Sequence, residues 1–134
     1  MKQYETYETM SRIGKYKYLD SGYCSVIATA TVTGLSFARA RRKLERLGRK
    51  WCNGLPYGVY KKAIERQGYK VTTCRYDLVG TTVNQAAKQL PQGKFLIRIN
   101  KHVLAIVDGV VNDWSEGRKF KVKSIHQVTK ILGE

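Results

Sequence analysis

Asp20-Ser21-Gly22-Tyr23-Cys24-Ser25-Val26-Ile27-Ala28 carries a cysteine from a polar turn straight into a run of small and apolar residues. The pattern predicts a helix whose first turn presents a thiol. Asp20 or Ser21 suits the N-cap, because a short side-chain oxygen there satisfies backbone N–H groups that the helix leaves unpaired. Gly22 lets the chain turn sharply into it. At a helix start, free N–H groups and the positive end of the dipole favour a thiolate over a thiol, and the thiolate is the nucleophile. From Val26 to Val32 no residue is charged, which predicts a helix buried on most sides with a rigid first turn, as a catalytic nucleophile requires. A free cysteine also serves commonly as a small buried filler, so Cys24 becomes a nucleophile only if the chain supplies a partner base.

The Cys24 helix is predicted to end at Thr33-Gly34, with Gly34 in the left-handed conformation that closes helices. Ser36 suits the N-cap of a second helix in which Phe37, Ala40, Leu44 and Leu47 share one face, stopped by Gly48. Its other face carries Arg39, Arg42, Lys43 and Arg46 and runs on into Arg49 and Lys50, the densest basic patch of the chain. That patch is either a solvated face or a strip that follows phosphates without reading bases. No aromatic residue interleaves it, which argues against single-strand recognition by stacking.

Beyond a loop over 51–56, residues 57–66 read as a third helix with Tyr60, Ala63 and Ile64 inward. Residues 69–76 alternate as a strand in which Cys74 is a filler, and 82–90 form a short helix with Val83, Ala86, Ala87 and Leu90 on its apolar side. Strands are then predicted over 94–99, 103–107 and 110–114. Asp108-Gly109 between two β-branched runs is a strong hairpin signal, because a two-residue primed turn needs positive φ at its central positions. Residues 119–123 alternate lysine with Phe120 and Val122 as an exposed edge strand would. Residues 124–132 are expected to form a closing helix with Ile125, Val128 and Ile131 inward and His126 on its surface. Residues 1–19, rich in Tyr, Lys and Glu with little periodicity, are expected to be an arm draped over the domain.

At 134 residues and 43% hydrophobic, the chain fits a single domain, 1–134, with one core. Lys and Arg total 25 against 10 Asp and Glu, a net charge of +15 that favours anionic partners such as nucleic acid, acidic protein or phospholipid surface. Three irregularly spaced cysteines and no N-terminal apolar stretch resembling a signal peptide predict a reducing, cytoplasmic setting. Neither a Cys-x-x-Cys nor a His-x-x-x-His pair offers metal-ligand spacing, so no metal or cofactor is expected. No apolar run approaches the roughly twenty residues that span a bilayer, so no membrane partner is expected.

His102, at the entrance to the hairpin, is the histidine placed to act as base. If Asp108 and Gly109 form the turn, Val107 faces Val110, Ala105 faces Asn112 and Leu104 faces Asp113. Side chains alternate along strands, so His102 shares a face with Asp113 as its diagonal neighbour, and Asn112 points the other way. A carboxylate beside an imidazole fixes its tautomer and stabilises the imidazolium, which completes what a thiol hydrolase needs. His102 also fits a polar strand end, and Asp113 also fits a cap on the turn into Ser115-Glu116-Gly117. The three residues together point more strongly to chemistry than any one of them does.

A cysteine on an N-terminal central helix, followed by histidine and aspartate on C-terminal antiparallel strands, resembles the chain order of papain-like cysteine peptidases. Residues 20–28, Thr33-Gly34-Leu35-Ser36-Phe37 and 102–114 are more closely similar to small papain-like proteins of tailed bacteriophages, which are distantly akin to bacteriocin-leader-processing peptidases. The resemblance implies an α+β, papain-like fold in which N-terminal helices, with the cysteine-bearing one central, pack on a C-terminal antiparallel sheet. It implies Cys24 as nucleophile, His102 as general base and acid, Asp113 as orienting residue, and a protein or peptide substrate. If the protein is of phage origin, its place is the host cytoplasm or the virion. One departure is Tyr18, which stands where such enzymes usually carry an oxyanion-hole glutamine six residues before the cysteine; the backbone N–H of Cys24 then needs another donor, and the Tyr18 hydroxyl is one option. The rival expectation is a basic, non-enzymatic module that binds nucleic acid or a host protein through the helix over 39–50.

Overall fold

In the computed structural model, which describes residues 6–113 and 115–131, an antiparallel five-stranded sheet carries helices on both faces. Its strands are β1 (Tyr69–Cys74), β2 (Lys94–Ile99), β3 (His102–Val107), β4 (Val110–Asn112) and β5 (Ser124–Lys130), in the order β1-β5-β2-β3-β4. The helices are α1 (Tyr7–Arg12), α2 (Cys24–Thr33), α3 (Phe37–Arg46), α4 (Tyr57–Glu65) and α5 (Val83–Gln89). The chain is therefore α+β, with most of its helix N-terminal to most of its sheet.

Strand alternation divides the core into two clusters. Val71, Leu96, Val103, Ala105 and Val128 point toward α1 to α4, whereas Phe95, Ile97, Leu104, Ile106 and Ile125 point toward α5. Helix α2 lies in the first cluster, with Val26, Ala28, Ala30 and Val32 buried and Ser25, Thr29 and Thr33 buried beside them, so it is covered on most sides, as an interior helix is. Gly34 closes it with its N–H on the Ala30 carbonyl. Helix α3 follows the sequence pattern: Ser36 Oγ accepts from the Arg39 N–H at 3.2 Å, and Phe37, Ala40 and Leu44 are buried while Arg39, Arg42 and Arg46 face outward. Truncating Phe37 to Ala would cost about 3–5 kcal/mol by opening a cavity beside the Tyr18 and Tyr23 rings. The hairpin also forms as expected, with Asp108 and Gly109 at φ 50° and 80° and Val107, Ile106 and Ala105 opposite Val110, Val111 and Asn112.

Four expectations are corrected. Residues 124–130 form β5, not a helix; Leu132 lies outside the described residues. The strand sits between β1 and β2, covered on both faces in its first half, so Ile125 and His126 are both buried and His126 is not a surface residue. Residues 119–123 do not form an edge strand: Lys121 makes a single bridge to Thr82, and the segment straps the entry to α5, with Val122 buried. Residues 7–17 of the supposed arm are helical, α1 running into a π-helical turn, Ile13–Lys17, because Thr6 caps α1 through the Thr9 N–H and Met10 is buried in the first cluster. The expected strand over 110–114 ends at Asn112; Trp114 lies outside the described residues.

Candidate active site

Cys24 is the first residue of α2, but neither Asp20 nor Ser21 caps the helix; Tyr23 holds that position without a side-chain hydrogen bond. Asp20 is instead fully buried among donors. Arg49 Nη1 and Nη2 donate to its two oxygens at 2.9 and 3.0 Å, Arg41 Nε donates at 3.1 Å and the Cys52 N–H at 2.8 Å. Burial pushes this carboxyl up, but the two guanidinium groups and the backbone N–H outweigh it and hold it below the usual carboxylate range. Arg49 Nη2 also reaches the carbonyls of Ser21 and Gly22 at 3.2 and 3.3 Å, so the buried pair clamps the loop that delivers Cys24. Gly22 fits this loop twice over: its φ is +66°, and a Cβ there would come within 3.0 Å of the backbone of Asn53 and Gly54.

His102 and Asp113 come from the β3–β4 hairpin. His102 Nε2 donates to Asp113 Oδ2 at 2.8 Å, and both side chains are largely buried. The same oxygen accepts from the Ser115 N–H at 3.1 Å and the Ser115 hydroxyl at 2.6 Å. Asp113 thus caps the following turn and orients the imidazole at once, two roles that the sequence presents as alternatives. With Nε2 committed to Asp113, Nδ1 is the ring nitrogen left to face another partner, and Cys24 lines the same two cavities as His102. His102 and the backbone N–H groups of Val103 and Ser25 all favour the thiolate at that cysteine.

Burial by itself would raise the Cys24 thiol, but the bonds from His102, Val103 and Ser25, with the imidazolium charge, bring it below its ordinary value. Burial would lower His102, yet Asp113 and the Cys24 sulfur together raise it to about 9. Both shifts act in one direction, toward a thiolate beside an imidazolium.

A cleft opens on both sides of this pair. One cavity, of about 310 Å³, has Tyr7, Ser21, Gly22 and Tyr23 on its wall; the other, of about 280 Å³, has Tyr57, Tyr60, Arg98 and Val103; Cys24, Lys101 and His102 line both. Tyr18 lines neither: its ring lies 5.9 Å from that of Phe37, with the Arg41 guanidinium 4.3 Å from its centroid. The Tyr18 hydroxyl is thus not placed to assist Cys24.

Several contributors lay beyond the sequence pattern. Arg49 looked like part of the basic patch but is buried on Asp20, 29 residues away in the chain. Ser115 was visible only as part of a turn. Arg98 reads in sequence as the polar interruption of an apolar strand. Cys74 is partly buried against the second cluster, where burial raises its thiol, and Cys52 Sγ lies 3.7 Å from the Leu19 carbonyl, away from both cavities. Arg39, Arg42, Arg46 and Lys50 are exposed, and Lys43 and Arg46 line a groove with Arg66 of the segment after α4. Among the described residues, no group of three or more His, Cys, Asp or Glu side chains is arranged to hold a metal ion, and no helix is long and apolar enough to cross a membrane. In comparisons with known proteins, the chain matches no family model, no curated protein and no solved structure.

Proposed function

We propose that the protein is a papain-like cysteine hydrolase, a peptidase acting through Cys24, His102 and Asp113. The observation that carries this reading is the convergence of three side chains on one open cleft at the start of a buried helix: His102 is bonded to Asp113 at 2.8 Å, and Cys24 lines the same two cavities as His102, whose imidazole lowers the thiol. The Cys24 thiolate attacks the substrate carbonyl carbon, forming a C–S bond while the carbonyl oxygen takes the negative charge. The Cys24 backbone N–H, left free at the uncapped helix start, stabilises that oxyanion. Imidazolium His102 gives its proton to the leaving nitrogen, the C–N bond breaks, and a thioester remains. Water, deprotonated by the now neutral His102, attacks the thioester. The acid departs and the thiolate–imidazolium pair is restored. Asp113 keeps Nε2 protonated throughout, so that Nδ1 faces the reaction.

Thiol labelling tests this directly. With iodoacetamide at pH 7, read by peptide mass spectrometry, Cys24 should alkylate at least about tenfold faster than Cys52 and Cys74, and His102→Ala should abolish the advantage. Equal rates at the three thiols would overturn the reading.

The exposed arginines of α3 and the groove beside them favour a second property, sequence-independent binding of a polyanion. It is compatible with catalysis, because the α3 face does not line the cleft. Retention on DNA should then fall steeply as salt rises.

A further inference from the structure

The cavity on the α4 side of the cleft is positively charged. Among the described residues, Arg98 and Lys101 line it and no carboxylate does. Arg98 projects from β2 on the face that carries Leu96, toward the helices, and among the described residues it forms no ion pair. Its guanidinium is nevertheless held in place. It lies over the Tyr57 ring, 5.3 Å from the centroid, and shares the cavity wall with Tyr60. Tyr57 is itself held by His126, whose ring stacks on it at 4.4 Å. His126 is fixed in turn by Thr73 Oγ1 at Nδ1 and Ser124 Oγ at Nε2, 2.9 and 2.8 Å away. A planar guanidinium lying over an aromatic ring that is itself fixed has lost part of its freedom before any ligand arrives. Its N–H groups suit a carboxylate.

We propose that Arg98, stacked on Tyr57 beside Cys24, recognises a carboxylate on the substrate next to the scissile bond. This rests on Cys24 being the nucleophile. The carboxylate is either an acidic side chain or the free end of a peptide; neutral and basic neighbours are disfavoured. Lys101, at the mouth of the same cavity, adds charge without fixed geometry.

The probes are three small alkylating amides: N-chloroacetyl-glutamine α-amide, its free α-acid, and N-chloroacetyl-glutamate α-amide. In each, the thiolate displaces chloride from the chloroacetyl carbon, forming a thioether. Rates at Cys24 and Cys52 are read in the intact protein by peptide mass spectrometry. The glutamate amide should exceed the glutamine amide at Cys24 by about fivefold if the site takes a side-chain carboxylate, and the free acid should gain similarly if it takes a chain terminus. Cys52 should show a smaller ratio, since it feels only the general field of the basic protein. Arg98→Gln should remove the Cys24 preference, read as the ratio of acidic to neutral probe in the same variant so that any general change in thiol reactivity cancels, and Arg98→Lys should restore part of it. A Cys24 preference no larger than that of Cys52, or one that survives Arg98→Gln, overturns the proposal. Failure of Cys24 to outpace Cys52 and Cys74 with iodoacetamide would instead overturn the nucleophile assignment beneath it.

Discussion

Asp113 Oδ2 accepts three hydrogen bonds, two from Ser115 and one from His102. Asp113→Asn, with its amide oxygen in the same place, keeps all three acceptor contacts and removes only the negative charge. The imidazolium is then less favoured, so the thiolate forms at higher pH. The iodoacetamide rate of Cys24 at pH 7 should fall at least about tenfold, with the pH–rate curve displaced upward and the alkaline stability contribution of His102 reduced. An unchanged curve would show that the carboxylate charge does not reach the sulfur. The pairing was legible in the sequence because a two-residue Asp-Gly turn sets the register and alternation does the rest. The meeting of His102 with Cys24 in one cleft was not, because it spans elements with no local signal linking them.

At the level of elements, the start of α2 is placed by the Asp20–Arg49 pair rather than by a cap. Removing Arg49 leaves the buried Asp20 carboxylate with only Arg41 and the Cys52 N–H, so Arg49→Met should cost up to about 3–5 kcal/mol in urea unfolding. Arg49→Lys keeps the charge, but a single ammonium cannot span both Asp20 oxygens and the Ser21 and Gly22 carbonyls. It should cost less stability and still slow Cys24 alkylation; full alkylation in a stable Arg49→Lys protein would show that the clamp does not position the nucleophile. Local chemistry made α3 and the hairpin readable: a serine that caps and an Asp-Gly that turns. It misled at β5, where Ile125 and Val128 stand three apart as on a helix face and burial on both sides erases the alternation that marks a strand. It also misled at Asp20, whose residue type suits a cap but whose partners come from α3 and the segment after it.

For the whole molecule, three ionisable groups set a window of stability. Burial first, then Arg98 and Lys61, push His126 down to about 4. Its neutral form is favoured in the folded state, so its contribution is complete above pH 6.5 and is lost as pH falls through 4, up to about 3 kcal/mol. Asp20 acts in the same sense further down: its contribution is present above the ordinary carboxylate range and is lost as pH drops below it. His102 runs the other way, since a pKa raised to about 9 gives a contribution that is complete below 6.5 and lost as pH rises through 9. Thermal unfolding followed from pH 4 to pH 10 should therefore peak near neutrality. His126→Gln, which can keep contact with Thr73 and Ser124, should flatten the acid limb between 6.5 and 4 and leave the alkaline limb intact; an unaltered acid limb would show that His126 does not drive it.

The placement of β5 bears on when the fold is completed. It is the fifth strand to be synthesised yet lies between the first and second, so β1 has no neighbour until residues 124–130 have left the ribosome. A nascent chain can zip up the β2–β3–β4 meander early, since those strands adjoin in sequence, but the platform beneath Tyr57 is missing until His126 slides in. Synthesis itself thus delays the assembly of the charged wall of the cleft, and a chain stalled before Ser124 would carry its cysteine without that wall.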